Sequence, residues 1–165
     1  MKNFALVQTV GSGVLLVYTI ILWGLPIAPA LAVFDLITEF ALTDSVTMNY
    51  IVYGLTAGVC FMVYILSLLF FSGMTQRLIH VRIPEDKIVD KLESWNTVRW
   101  AICAHLHRCT HPVLVHTIPS PICNAYYRLA GAKLGKGVQI NTINLNDPSA
   151  AVSYTHLTLP TTCTV

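Results

Sequence analysis

Charge is what this chain has least of. Charged residues make up 11% of its 165 residues and hydrophobic residues 55%, where a soluble domain carries roughly 25% charged residues. The net charge of +2 comes without any dense Lys/Arg block that would track phosphates, which sets nucleic acid aside as a partner. The apolar run near the start lacks a basic n-region and a small-residue cleavage site, so it does not read as a cleavable signal. The five cysteines, Cys60, Cys103, Cys109, Cys123 and Cys163, are odd in number and outline no disulfide framework. Cys60 lies inside an apolar run, where a thiol behaves as a small hydrophobe.

What the chain has instead is uncharged length. No charged residue stands between Lys2 and Asp35, and a bilayer core needs about 20 apolar residues to cross. The sequence predicts a first transmembrane helix over about 11–34, kinked or shortened by Pro26 and Pro29, each of which removes a backbone donor. A second uncharged stretch runs from Ser45 to Gln76 and predicts a second span over about 50–72. The connector is acidic, with Asp35, Glu39 and Asp44, while Lys2, Arg77, Arg82, Lys87 and Lys91 flank the far ends. By the positive-inside rule this is a hairpin with both termini cytoplasmic. Two buried helices of a soluble protein would also be apolar, but uncharged runs of this length belong to membranes. Neither span carries the charged residue that marks a transported ion or substrate path.

After the hairpin, "RIPEDKIVDKLESW" places acids early and lysines late, suiting both ends of a short surface helix. Next, Val98, Ala101, Ile102, Ala104 and Leu106 give one apolar side to a helix beginning near Trp95 and Trp100, an interfacial amphipathic pattern. Histidines and cysteines crowd this segment. Cys103 and His107, His105 and Cys109, and His107 and His111 each stand four apart, so each pair shares a helix face. The pairs point in different directions and match neither a zinc ribbon nor an HExxH helix, so no metal site is assigned. "GAKLGKG" is not a phosphate loop either: three residues rather than four separate Gly131 from Gly135, and Gly137 follows Lys136 where Ser or Thr is required. Arg128, Lys133 and Lys136 read as a solvated basic edge, facing water or lipid headgroups.

The informative segment is "NAYYRLAGAKLGKGVQINTINLNDP". Pro121 to Ala130 predicts a short helix closed by Gly131. Two hexads follow, opened by Leu134-Gly135 and Ile140-Asn141, a pattern in which the aliphatic residue points inward and its small neighbour allows a corner. From Asn124 to Pro148 the string resembles the entry to the left-handed β-helix of membrane-associated bacterial hexapeptide-repeat acyltransferases, where a Tyr-Arg-Leu-x-Gly-type turn leads into the first coil. The resemblance covers about a sixth of the chain. It implies a membrane α-helical hairpin with juxtamembrane helices over 77–130, followed by the first coil of a left-handed parallel β-helix over 131–151. It also implies an inner-membrane protein that trimerises through the β-helix and transfers an acyl group, commonly acetyl, from coenzyme A to a hydroxyl or amine. In that family a histidine on a later coil acts as general base. His105, His107, His111 and His116 all precede the first coil, so no catalytic, cofactor-binding or metal role passes to any residue here. The contrasting expectation is a non-enzymatic hairpin anchor or assembly subunit whose cytoplasmic helices bind a partner.

The ending breaks the pattern. The string GTC TCT TAT ACA CAT CTG ACG CTG CCG ACG, a transposase-type sequencing adapter, translates to Val152 to Thr161 residue for residue. Residues 152–165 therefore read as adapter translation rather than as a natural Thr-rich tail, and His156 and Cys163 then carry no functional signal. On this expectation the chain is a catalytically inactive piece of a longer enzyme, cut in its first coil.

Overall fold

A computed structural model of the chain describes residues 2–79, 95–143, 145, 148 and 151–153. The surface helix expected over 82–95 lies outside these residues, apart from Trp95.

The uncharged N-terminal run forms two helices, α1 (Lys2–Gly24) and α2 (Ile27–Ala41), and the second run forms the single helix α3 (Val46–Ile79). Pro26 accounts for the break between the first two. It has no N–H to extend α1, and the chain turns at Leu25 and Pro26 before α2 begins. Pro29 does not break the helix, because it sits in the first turn of α2, where a missing N–H has no intrahelical partner to lose. The connector to α3 is closed by Asn49, whose Oδ1 accepts from the Thr43 backbone N–H at 2.9 Å while its Nδ2 donates to the Thr43 carbonyl at 2.8 Å. The chain thus has two stretches long and apolar enough to cross a membrane, Thr9–Ala41 and Val46–Ile79. Both exceed the lengths expected from the sequence. Much of their apolar surface has no protein cover among the described residues, including Leu16, Ile20, Leu31, Leu55 and Leu66.

Three contacts show that α1 and α2 run antiparallel to α3. The Tyr18 hydroxyl donates to Thr75 Oγ1 at 2.7 Å, Leu22 packs with Leu68, and the Phe34 ring stacks on Tyr53 with centroids 6.4 Å apart. A further helix, α4 (Trp95–Leu114), also runs antiparallel to α3. Arg99 Nε donates to the Ile79 carbonyl at 2.8 Å, Leu106 packs with Leu68, and the His116 ring meets Phe61 edge-on at 5.9 Å. The buried stripe of α4 is Leu106, His107, Thr110 and Leu114, while Val98 and Ala101, assigned to the apolar side from sequence, are exposed.

A 3-10 turn, Val115–Thr117, leads to the short helix α5 (Pro121–Leu129). Its ends are specified locally. Ser120 Oγ accepts from the N–H groups of Ile122 and Cys123, and Pro121 occupies the first turn, where its missing donor costs nothing. At the other end Gly131 N donates to Arg128 O and Ala132 N to Tyr127 O, with Gly131 at φ 111°. This pair of bonds is a Schellman closure, which needs a left-handed residue and so favours glycine.

Beyond α5, β1 (Lys133–Leu134) pairs in parallel with β2 (Val152–Ser153), Lys133 opposite Val152. The chain therefore returns beside itself after nineteen residues. This pair is the only regular β-structure among the described residues, and a β-helix is not shown. The hexad openers Leu134 and Ile140 do face inward, packing with Ile143 and Leu145 against Ile65, Leu69, Leu114, Tyr126 and Tyr127. The left-handed glycine of the hexads is Gly137, at φ 76°, rather than the Gly135 that follows the first aliphatic.

Candidate functional site

The densest polar cluster lies where α3, α4 and α5 meet, and Tyr126 is at its centre. Its phenol accepts a hydrogen bond from Gln76 Nε2 at 2.9 Å and lies 3.0 Å from Thr110 Oγ1 and 3.4 Å from His107 Nδ1. Gln76 Nε2 also donates to Ser72 Oγ at 3.2 Å, one turn earlier on α3. All five side chains are buried.

Hydrogen-bond chemistry fixes most of the proton positions. His107 Nε2 stands 3.0 Å from the Ile143 carbonyl, which can only accept, so Nε2 carries the hydrogen and Nδ1 of the neutral ring faces Tyr126. Thr110 Oγ1 donates to the His107 carbonyl at 2.8 Å, leaving its lone pairs for the phenol hydrogen. Burial holds His107 below the ordinary histidine range and the nearby His111 acts in the same direction, while the bond to Ile143 opposes them. His107 also forms a triangle of rings with Tyr126 and Tyr127, its centroid 6.4 Å and 6.1 Å from theirs, which are 5.3 Å from each other. Among the described residues every buried side-chain nitrogen and oxygen has a neighbour within hydrogen-bonding distance, but the single phenol hydrogen of Tyr126 serves either Thr110 Oγ1 or His107 Nδ1, not both at once.

A second set of bonds ties α5 to the loop that follows. Asn124 grips the backbone twice, its Nδ2 donating to Val138 O at 2.7 Å and its Oδ1 accepting from Ile140 N at 3.3 Å. The Tyr127 hydroxyl donates to Thr142 O at 3.2 Å, and Arg128 Nη2 donates to Gly135 O at 3.0 Å. With His107 on Ile143 O, every one of these partners is main chain. The side chains of "NAYYR" thus hold the path of the loop without specifying its side chains. Arg128 makes this bond while remaining exposed to its surroundings.

Of the histidine and cysteine pairs at helical spacing, the structure brings His105 and Cys109 together. His105 Nε2 lies 3.5 Å from Cys109 Sγ and 2.8 Å from Thr19 Oγ1 of α1. Thr19 gives its hydrogen to Leu15 O at 2.8 Å, so the imidazole nitrogen acts as the donor to Thr19 and is no base for the thiol. Among the described residues no three His, Cys, Asp or Glu side chains converge as a metal site would require. Sequence reasoning missed the Tyr126 cluster. The available signal was the polar pair Ser72 and Gln76, one turn apart at the end of an otherwise apolar helix.

Comparison with known proteins finds no matching family model, no matching curated protein and no matching solved structure.

Proposed function

We propose that this chain is the membrane anchor and coil entry of a hexapeptide-repeat acyltransferase of the bacterial inner membrane, both termini cytoplasmic. The enzyme would transfer an acyl group, commonly acetyl, from coenzyme A to a hydroxyl or amine. The observation that carries the reading is the clasp of α5 on the loop after it. Asn124, Tyr127 and Arg128 bind main-chain groups at positions 135, 138, 140 and 142. Leu134 and Ile140, six residues apart, both pack against the core formed by α3, α4 and α5. These are the features a first coil needs in order to be stacked upon.

The chemistry belongs to coils beyond this one. A repeat fold buries its core by stacking roughly three or more units, and a donor groove between neighbouring coils needs more than the one coil that residues 131–151 would supply. No residue here is assigned to the donor, and trimerisation is expected of the intact β-helix alone. The polar cluster serves on this reading as the joint that fixes the coil to the membrane helices.

The test is to recover the reading frame that follows Ala150 in the parent gene and to assay the purified intact protein in detergent with labelled acetyl-coenzyme A. Further aliphatic-Gly hexads, a histidine among them and label transfer that its substitution abolishes are the expected results. A following sequence without a six-residue period would overturn the enzyme reading in favour of a hairpin anchor.

A further inference from the structure

From the chain's vertical layout we propose that Cys109–Tyr127 is a re-entrant elbow, dipping into the lipid acyl-chain region beside α3 and returning to the same side. The inference rests on the membrane placement of the hairpin proposed above, and it concerns a part of the chain that neither predicted span includes.

The hairpin supplies a ruler. Phe34 stacks on Tyr53, so the exposed Asp35 marks a water boundary at the level of Tyr53. Ser72, where the polar cluster begins, is nineteen residues farther along α3, or about 28 Å at 1.5 Å per residue. The hydrocarbon core of a bilayer is about 30 Å thick. The two levels are therefore one bilayer core apart, with the exposed Val10, Val14 and Val17 of α1 continuing past the upper one.

Against this ruler α4 does not stay at the boundary. It starts above it, with Arg99 at Ile79, and passes Leu68 at Leu106; the 3-10 turn that follows reaches Phe61 at His116. Phe61 is eleven residues below Ser72, about 16 Å, which is near the bilayer midplane. Then α5 climbs back: Tyr126 bonds Gln76, and a Cβ placed on Gly73 would touch Leu129. The sequence follows the same excursion. Arg108 and Arg128 bound a stretch of nineteen residues without a single charge, and both lie near the level of the polar cluster. The surface of the elbow is Pro112, Val115, His116, Pro119 and Pro121, with Val115 half exposed. His116 is the one imidazole among them, set against the Phe61 ring.

A non-helical turn at this depth must satisfy its own backbone, since lipid offers no hydrogen bonds. The elbow contains the hydroxyls to do so: Ser120 Oγ accepts from Ile122 N and Cys123 N, and Ile118, Leu114 and Cys123 seat the turn against Ile65 and Leu69. Acyl chains are the occupant this surface fits, because it is continuous in depth with the exposed apolar faces of α2 and α3 and bears no charge.

The experiment uses the full chain in proteoliposomes, with Trp23, Trp95 and Trp100 replaced by Phe and a single reporter introduced as Val115→Trp or, in the hairpin, Met62→Trp, at an exposed position midway between Tyr53 and Ser72. Lipids brominated midway along their acyl chains are expected to quench both reporters, and aqueous iodide neither. A Val115→Trp reporter quenched by iodide and spared by brominated lipid, while Met62→Trp behaves as a lipid-buried residue, would overturn the elbow and leave the hairpin standing. Iodide quenching of both would overturn the membrane placement itself. Matching circular dichroism of the two variants and the parent background guards against misfolding; should Val115→Trp disturb it, Pro119→Trp reports from the same turn with the same expected and opposing outcomes.

Discussion

Gln76 and Tyr126 are fifty residues apart in the chain, and the Gln76 side-chain amide donates to the Tyr126 phenol at 2.9 Å in a fully buried site. That bond joins the end of the longest apolar helix to α5, the helix that holds the loop after it. Around it, the cluster can be tested one side chain at a time.

Tyr126→Phe removes the shared oxygen while keeping the ring. Gln76 retains Ser72 and Thr110 retains the His107 carbonyl, so the loss falls on buried groups left with fewer partners. The expected cost is about 1–3 kcal/mol, read as a lower unfolding midpoint in detergent. An unchanged midpoint would show that the phenol contributes packing alone.

His107 titrates below its ordinary value because it is buried. A depressed folded-state pKa means that the unfolded chain binds the proton more readily, so stability contributed by neutral His107 is complete above about pH 6.5 and is lost as pH falls from there toward the folded pKa. The midpoint of the parent should therefore drop on acidification more than that of His107→Gln, which keeps a donor for Ile143 O and has no titration. Parallel pH profiles would exclude the mechanism.

Gly73 is where α3 admits α5. A Cβ there would lie 2.9 Å from Leu129 Cδ2 and 3.3 Å from its Cβ, so Gly73→Val should force the helices apart at a cost of about 1–3 kcal/mol. Combining it with Leu129→Ala should recover part of that loss. A double variant no better than the sum of the singles would argue against this contact as the cause.

Gly131 holds a left-handed backbone that a side chain strains. Gly131→Ala should lower stability by about 1 kcal/mol or more, and Ser120→Ala, which removes the cap at the opposite end of α5, by about 0.5–2 kcal/mol. Proteolytic cleavage within 133–143 should accelerate in both, since α5 holds that loop. A rate equal to the parent's would detach the loop from the helix.

The sequence by itself determined the elements whose causes are local. Uncharged length made α1, α2 and α3; Pro26 divided the first pair; and Ser120, Pro121 and Gly131 bounded α5. None of these needs a distant partner, because hydropathy, caps and backbone freedom act within a few residues. The tertiary structure decided everything that depends on depth and direction. Helical spacing put His107 in reach of Cys103 and His111, yet its partners are Tyr126 and Ile143, brought by other segments. It put Val98 and Ala101 on an apolar side of α4, yet the face that buries bears Thr110 and His107. A buried polar side chain is stable only beside a group that completes its hydrogen bonds, and that group can come from anywhere in the chain. For that reason periodicity could place α4 as a helix, while its buried face and its course along α3 came from packing against Leu68, Gln76 and Tyr126.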